Sequence, residues 1–196
     1  MMPAFALILL LFLLLVWQVH AGGTLVTLDG ALNAGLAPLR SKLALAGFGW
    51  LTQIGTGAAG TIVALVASGL FWSDGRNRLI LPIWVAFLGA QTTTWSLKFV
   101  THRARPPFLD GVTAASPSFP SAHATVSTAI YGFIALAVAA GLEPGQRWTV
   151  YAAAAALILL IWFSRLFLSL HYLTDVAAGG LVGLFWLLLG WRMARM

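Results

Sequence analysis

The sequence predicts an all-α, polytopic membrane protein with six transmembrane helices and an interfacial amphipathic segment. Of its 196 residues, 60% are hydrophobic and only 8% are charged, whereas a soluble domain usually carries about 25% charged residues. Several apolar runs approach the roughly 20 residues that a helix needs to cross the hydrocarbon core. The charged residues are too few to cover the surface of a soluble protein, so we expect one integral membrane domain over residues 1–196.

The charge pattern argues against a nucleic-acid partner. The net charge of +6 comes from eleven Lys and Arg residues, which form no basic block. Arginines at the ends of apolar runs are typical of loops anchored to anionic lipid head groups, so we expect membrane lipids as partners. The sequence contains no cysteine, which excludes disulfides, thiolate nucleophiles and thiolate metal ligands.

The first apolar run, residues 3–19, predicts a transmembrane helix. Val19, His20 and Ala21 resemble a small-residue cleavage site, but no basic region precedes the run, and the run is longer than a typical signal core. A retained helix is therefore favoured, with a cleaved signal peptide as the alternative. Residues 22–49 carry polar and charged residues among apolar residues at helical spacing, which predicts an amphipathic segment lying flat in the interface.

Five further apolar runs predict the remaining spans, at residues 50–72, 79–100, 122–142, 148–163 and 176–191. Most linkers are short, whereas residues 101–120 contain four prolines and predict a surface loop on one side of the membrane. In this layout the loop ends that carry the clusters described below lie on one membrane face. A weak positive-inside bias places that face outside.

Two groups of residues within the predicted spans concern helix packing. Gly179, Gly180 and Gly183 predict a close approach of neighbouring helices. Gln91 and the three threonines at 92–94 either line a polar channel or form hydrogen bonds between helices, and the sequence leaves both interpretations open.

Ser164, Arg165, His171 and Asp175 form one of three clusters of strong phosphate ligands in this apolar chain. His171 and Asp175 are four residues apart, so they share a face on a helix or its first turn and can form a hydrogen bond. A carboxylate on one imidazole nitrogen leaves the other with a free lone pair, which predicts His171 as a nucleophile. The fork of Arg165 suits bidentate phosphate binding, and Ser164 is a candidate accessory donor.

The second cluster, Ser121, Ala122 and His123, follows Pro120 at the start of the fourth span. These residues therefore occupy the N-terminal turn of a helix, where unpaired amides and the helix dipole attract anions. Ser121 and the Ala122 amide are predicted to bind the phosphate. His123 is predicted to be the general acid.

Lys98 and Arg105 form the third cluster, at the end of the third span and seven residues beyond it. With Arg165 they would stabilise the charge on the equatorial oxygens of a phosphoryl group, so we expect no metal ion and no cofactor. Arg103 lies beside this pattern and is interpreted as a loop residue that is accessory to the site, in contact with a lipid head group.

In order and spacing, these clusters resemble the signature of the type 2 phosphatidic acid phosphatase family. That signature reads Lys, six residues, Arg-Pro; then Pro-Ser-Gly-His; then Ser-Arg, five residues, His, three residues, Asp. The clusters that begin at Lys98 and Ser164 match completely. In the middle cluster Ala122 stands in place of the usual Gly, and its methyl group narrows the backbone approach.

The resemblance implies a helical membrane lipid phosphate phosphatase. It implies that His171 forms a phosphohistidine, that His123 protonates the leaving alcohol, and that no metal takes part. Phosphatidylglycerophosphate, phosphatidic acid and isoprenyl diphosphates are the candidate substrates. The resemblance further implies a bacterial inner membrane with the site facing the exterior.

Two other functions use similar residues. A lipid phosphotransferase would pass the phosphoryl group from the same intermediate to another lipid or sugar. An anion transporter would bind its cargo with intramembrane cations, but its charges would be spread through the spans and it would need no His–Asp pair. Phosphate release that survives EDTA and depends on His171 would separate an enzyme from the transporter.

Overall fold

The computed structural model describes residues 2–107 and 116–196 of the chain. Within these residues the chain forms α-helices and short 3₁₀ turns without a strand, which confirms the all-α prediction. Residues 108–115 of the predicted surface loop lie outside the described part. The helices are α1 (Met2–Ala21), α2 (Thr24–Leu36), α3 (Lys42–Leu51), α4 (Gly57–Ser73), α5 (Ile80–Thr101), α6 (Ala122–Ala139), α7 (Pro144–Phe167) and α8 (Leu173–Ala194).

Among the described helices, α1, α6, α7 and α8 are long and apolar enough to cross a membrane. Helix α3 with its following 3₁₀ turn meets α4 at a bend of 49°, and this pair makes a fifth span if it crosses as one unit. Helix α5 has 22 residues, a length of about 33 Å, but it carries Gln91, four threonines and Lys98. The chain is thus an all-helical membrane protein, and the count of six spans stays a prediction.

The predicted span 50–72 is broken at Thr56. Helix α3 ends before a 3₁₀ turn at Thr52–Gly55, and α4 begins just beyond Thr56. Thr56 has an extended backbone, and its hydroxyl accepts a hydrogen bond from the Ala59 amide at 3.1 Å, which caps α4. A hydrophobic run does not reveal such a break, because the apolar residues before Thr52 and after Gly57 keep the whole stretch within one predicted span.

The segment 22–49 is packed against the ends of α7 and α8. It contains α2, a 3₁₀ turn and most of α3. Asp29 of α2 is only 2% exposed and accepts a hydrogen bond from the Thr174 amide at 3.0 Å. Arg40 donates through Nε to the Phe167 carbonyl at 2.7 Å. These polar contacts anchor the segment beside the start of α8, and its flat placement in the interface stays a prediction.

The apolar core lies mainly where α5, α6 and α8 meet. Helix α1 packs on the outside of α8, with the rings of Phe5 and Phe185 5.1 Å apart in an edge-to-face arrangement. In lipid, helices associate mainly through close packing and interhelical hydrogen bonds. The fully or almost fully buried apolar side chains of this core include Ile83, Phe87, Ile130, Phe133 and Leu187.

Hydrogen bonds between helices explain most of the polar stretch in α5. The Thr94 hydroxyl donates to Thr125 of α6 at 3.0 Å, and the indole of Trp186 in α8 donates to Thr93 at 3.0 Å. The Thr92 hydroxyl bonds only within its own helix, to the carbonyls one turn before it. Gln91 has a different environment, described below.

Glycines let α8 approach its neighbours closely. A Cβ atom added to Gly179 would lie 2.4 Å from the Ser121 carbonyl oxygen, and one on Gly183 would lie 2.5 Å from the Thr125 carbonyl oxygen. At Gly180 the indole of Trp162 fills the space, 2.1 Å from such an atom. The predicted close packing at these three glycines is therefore confirmed. As a result, the first turn of α6 lies directly against the first turns of α8.

We expect Gly179→Ala to destabilise the protein and to reduce its activity. The new methyl group meets a backbone carbonyl, which cannot rotate away, so α6 and α8 must separate; overpacking of this kind costs about 1–3 kcal/mol. Thermal unfolding in detergent measures the effect. Gly47→Ala in α3 is the matched control, because nothing lies within 4 Å of its added Cβ atom. A Gly179→Ala protein as stable as the Gly47→Ala protein would contradict the packing described here.

Candidate active site

The three sequence clusters meet at one cavity of about 220 Å³. It lies where the ends of α5, α6 and α7 approach the connection before α8. Its lining includes Lys98, Arg105, Ala122, His123, Arg165 and His171. The remaining lining residues are Thr56, Gly57, Gln91, Trp95 and Ser116. Six of the ten predicted site residues thus line one cavity. The other four, Arg103, Ser121, Ser164 and Asp175, are not among its lining residues.

His171 sits in the connection between α7 and α8, with its imidazole backed by a carboxylate. Its Nδ1 lies 3.5 Å from Oδ2 of Asp175 and 3.3 Å from the Ser118 hydroxyl. That hydroxyl donates a short hydrogen bond to the same carboxylate oxygen. Because Nδ1 faces the carboxylate of Asp175, the ring proton is placed on Nδ1, and the other ring nitrogen, Nε2, keeps its lone pair. Nε2 lies 3.3 Å from Nη1 of Arg105 on the cavity side.

The start of α8 holds Asp175 in place. Its Oδ2 accepts a hydrogen bond from the Tyr172 amide at 2.9 Å, which forms part of a capping box at the helix N-terminus. Its backbone carbonyl accepts from the Ser121 amide at 2.9 Å. One residue therefore connects the orientation of His171 to the start of α6.

Burial and the positive charges of Arg165 and Lys98 lower the pKa of His171 to about 3, although Asp175 acts in the opposite direction. The ordinary value is about 6.5, so the folded protein keeps this imidazole neutral at pH 7 and well below it. A neutral imidazole with a free Nε2 is the form that can attack phosphorus. Between the two pKa values the unfolded chain binds more protons, so His171 makes the fold less stable as pH falls through this window.

We expect the imidazole of His171 to be neutral at about pH 5.5, where a histidine with an ordinary pKa is mostly protonated. The measurement is ¹⁵N NMR of protein labelled at histidine, in detergent and without phosphate. The chain has four histidines, so the spectrum of the His171→Asn protein identifies the signal. A His171 signal that titrates near the ordinary value would contradict the buried, cation-flanked position.

Three cations line the cavity without a carboxylate partner in residues 2–107 and 116–196. Arg105 is fixed by the carbonyls of Ser116 and Leu170, at 2.9 and 2.7 Å. Lys98 is 2% exposed and donates to the Pro117 carbonyl at 2.5 Å. Neutral oxygens orient these charges without cancelling them, and burial strengthens their attraction for an anion.

Arg165 reaches the cavity from the last turn of α7 and is 6% exposed. Its Nη1 donates to the Thr52 hydroxyl at 2.7 Å, while its Nε is buried without a partner among the described residues. A buried guanidinium with an unused donor is costly unless a ligand accepts from it. An anion in the cavity would remove that cost.

His123 is the second residue of α6, and it lines the cavity beside Ala122. The N-cap residue, Ser121, does not cap the helix with its side chain. Its hydroxyl is buried and has no partner in the described part of the chain. The first amides of α6 therefore keep their capacity to donate to an anion.

Two predicted accessory residues are placed differently from the expectation. The Ser164 hydroxyl is buried and donates to the Ile161 carbonyl within α7 at 2.6 Å, away from the cavity. Arg103 is paired with two carboxylates instead of being an unpaired loop residue. It donates to Asp29 at 2.8 Å and to Asp175 at 2.5 Å, because these two buried carboxylates lie on either side of its guanidinium.

Sequence reasoning missed Asp29 and Ser118. Asp29 accepts from Arg103 and from the Thr174 hydroxyl, so it completes a buried chain that runs through Arg103 to Asp175. Asp29 could have been noticed in the sequence because the chain has only five acidic residues. Ser118 lies in a proline-rich stretch that gives no indication of its contact with His171.

We expect Asp29→Asn to lower kcat by about 10-fold to 100-fold, since hydrogen bonds to charged groups contribute about 1.5–3 kcal/mol. The amide weakens its hold on Arg103, which then orients Asp175 less firmly. Because Asp29 does not line the cavity, KM should change much less than kcat. Steady-state kinetics tests this, with Asp74→Asn as the control, because Asp74 is exposed in the linker after α4. An unchanged kcat in the folded Asp29→Asn protein would show that the buried chain has no part in catalysis.

Comparisons with known proteins agree with this arrangement. Residues 79–196 match the family model of the PAP2 superfamily. The chain is 26% identical over 189 residues to phosphatidylglycerophosphatase B of Bacillus subtilis (strain 168), covering 89% of this chain and 87% of that protein. It is 35% identical over 133 residues to decaprenylphosphoryl-5-phosphoribose phosphatase of Mycolicibacterium smegmatis, covering 66% of this chain and 67% of that protein.

A solved structure shares the same fold. The crystal structure of a transmembrane PAP2-type phosphatidylglycerolphosphate phosphatase from Bacillus subtilis superimposes with a TM-score of 0.88 at 24% identity. The match covers 97% of this chain and 96% of that one. The helical arrangement described above is therefore that of a known transmembrane fold.

Proposed function

The chain is a membrane phosphatase that belongs to the PAP2 superfamily, and from that premise we propose that it hydrolyses a lipid phosphate through a phosphohistidine on His171. The reaction needs no metal ion in this proposal. The substrate is a phosphomonoester or diphosphate of a membrane lipid: phosphatidylglycerophosphate, phosphatidic acid or an isoprenyl diphosphate.

One observation carries the proposal. A buried imidazole with its Nδ1 facing a carboxylate lines the same cavity as two buried cations, Lys98 and Arg165, the half-buried Arg105 and a second histidine. Anion binding alone requires the cations but not a buried, neutral nucleophile oriented by Asp175. This combination favours an enzyme over an anion transporter.

In the first step, Nε2 of His171 attacks phosphorus and forms a P–N bond while the P–O bond to the lipid breaks. The protonated His123 gives its proton to the departing oxygen, so the lipid of a phosphomonoester leaves as a neutral alcohol and that of a diphosphate leaves as its monophosphate. The developing imidazolium of His171 is stabilised by the Asp175 carboxylate behind it.

In the second step, a water molecule attacks the phosphohistidine. His123, now neutral, takes the water proton, the P–N bond breaks, and inorganic phosphate forms. The proton returns His123 to its starting state, and His171 is again a neutral nucleophile. Each histidine thus ends the cycle as it began.

Lys98, Arg105 and Arg165 supply the positive charge that stabilises the equatorial oxygens in both steps, and the first amides of α6 add donors. Because the charge comes from side chains already in the cavity, a divalent ion is unnecessary. The methyl group of Ala122 borders this cradle, so Ala122→Gly is the variant that would show whether it limits the rate.

The substrate classes are supported by the names of two relatives, one a phosphatidylglycerophosphatase and the other a decaprenylphosphoryl-5-phosphoribose phosphatase. We place the chain in a bacterial inner membrane as a single domain over residues 1–196, with six spans and the site facing the exterior. The segment 22–49 would lie at the membrane surface near the cavity. The apolar helices would accommodate the lipid tail.

The test is phosphate release from lipid phosphates by the purified protein in EDTA. We expect turnover with at least one of the three substrate classes and no loss on chelation. Adding a soluble alcohol and analysing the lipid products separates hydrolysis from transfer. Activity that disappears with EDTA and returns with a metal would contradict the mechanism, and no release from any lipid phosphate would revive the transporter.

A further inference from the structure

Gln91 and Trp95 of α5 line one part of the cavity together with Thr56 and Gly57 at the start of α4, and this part is called the α4 end. Gln91, Trp95 and Lys98 are spaced at i, i+4 and i+7 on α5, so they lie along one helical face. Seven residues correspond to about 10 Å along a helix axis. The backbone of Gln91 therefore lies about two helical turns from that of Lys98.

Gln91 is the polar residue of this stretch whose bonding is incomplete. Its Oε1 is buried and accepts no hydrogen bond from any described residue, whereas Thr93 and Thr94 bond to neighbouring helices. A buried acceptor without a partner is destabilising, so such groups in native proteins call for an explanation. A ligand that donates to Oε1 supplies one.

The neighbouring backbone makes room for this amide. Nε2 of Gln91 lies 2.4 Å from where a Cβ atom of Gly57 would be, so in this conformation the amide occupies space that a larger residue at the start of α4 would take. The Thr56 hydroxyl next to it is already engaged with the Gln53 carbonyl and the Ala59 amide. Gln91 is thus the free polar group at this end of the cavity, and the Trp95 ring forms an apolar wall beside it.

We propose that Gln91 binds a hydroxyl group of the leaving alcohol, so that the enzyme prefers phosphomonoesters whose alcohol carries a free hydroxyl near the ester. This inference rests on the proposed function. A carboxamide offers both a donor and an acceptor, and a hydroxyl offers the same pair in return. Within the described residues, all cations of the cavity belong to the phosphate-binding clusters.

A second phosphate fits this end poorly. An ionised phosphate mainly accepts hydrogen bonds, so the Oε1 of Gln91 would remain unpaired and would face a negative charge. A diacylglycerol leaving group has no hydroxyl to donate to it either. The subsite therefore favours phosphatidylglycerophosphate over phosphatidic acid and over isoprenyl diphosphates.

The test compares Gln91→Leu with the wild type on phosphatidylglycerophosphate and phosphatidic acid of identical acyl chains. We expect kcat/KM for phosphatidylglycerophosphate to fall about fivefold to tenfold, as loss of a neutral hydrogen bond predicts. For phosphatidic acid the change should stay below about twofold. Thr92→Val is the matched control, because its hydroxyl bonds only within α5; it should leave both rates unchanged.

Activity on phosphatidic acid also reports whether the variant is folded. If Gln91→Leu is inactive on both lipids, the test is repeated with Gln91→Met, which keeps the length of the side chain. The same comparison of kcat/KM for the two lipids then applies. An equal fall for both lipids, or no fall for either, would overturn the subsite while leaving the phosphatase intact. A wild-type protein that releases phosphate from neither lipid would instead overturn the proposed function itself.

Discussion

Replacing His171 with Asn is expected to abolish phosphate release, with kcat falling by about 10⁴-fold or more, as when other enzymes lose their nucleophile. The asparagine side chain is polar and can fill part of the space beside Asp175, but it offers no nitrogen lone pair to attack phosphorus. Binding should survive, because Lys98, Arg105 and Arg165 still line the cavity. Phosphate release measures the loss of turnover, and calorimetric titration with inorganic phosphate measures binding separately.

The control for this variant is His102→Asn, the same chemical change at an exposed position. His102 has a left-handed backbone with φ of 45°, which asparagine tolerates better than most residues, so full activity is expected. If His171→Asn kept more than a few per cent of wild-type turnover while remaining folded, His171 would not be the nucleophile.

Replacing His123 with Asn is expected to slow the hydrolysis of lipid phosphates by about 10²-fold to 10⁴-fold, the usual contribution of a general acid. For an aryl phosphate the first step should be slowed much less, because a phenolate departs without a proton. Without its base the variant should then hydrolyse the phosphohistidine slowly. Rapid mixing with p-nitrophenyl phosphate should therefore show a burst of phenolate followed by slow turnover.

The wild-type protein provides the comparison for this burst, since His123 speeds both of its steps. His102→Asn should behave as the wild type with both substrates. Equal losses on the lipid and aryl phosphates, without a burst, would assign His123 to phosphate binding instead of proton transfer.

The cavity residues were accessible to sequence reasoning because ionisable groups are rare and costly in a membrane chain. Lys98, Arg165 and His171 stand out against an apolar background, and their spacing at span ends is specific. The longer helices α1, α5, α6, α7 and α8 were equally visible, since each coincides with a long apolar run. The break at Thr56 was hidden, because the polar residues and glycines at 52–57 interrupt the apolar run too briefly to separate two helices by hydropathy.

Contacts between distant segments could not be predicted in this way. Asp29 and Thr174 are 145 residues apart, and their hydrogen bonds exist only because α2 packs against the start of α8. Arg103 looked like a loop cation until two carboxylates were found on either side of it. In the sequence, Gln91 and the threonines after it look alike as polar residues within a span. Only the packing of the helices leaves the Oε1 of Gln91 without a hydrogen bond from any described residue.

A crystal structure of the protein with orthovanadate, an anion shaped like phosphate, tests most directly whether the three clusters serve one phosphorus atom. We expect vanadium bonded to Nε2 of His171, its oxygens within hydrogen-bonding distance of Lys98, Arg105 and Arg165, and His123 on the side opposite His171. Vanadate bound elsewhere, or bound in the cavity with the two histidines unable to flank it, would contradict the account.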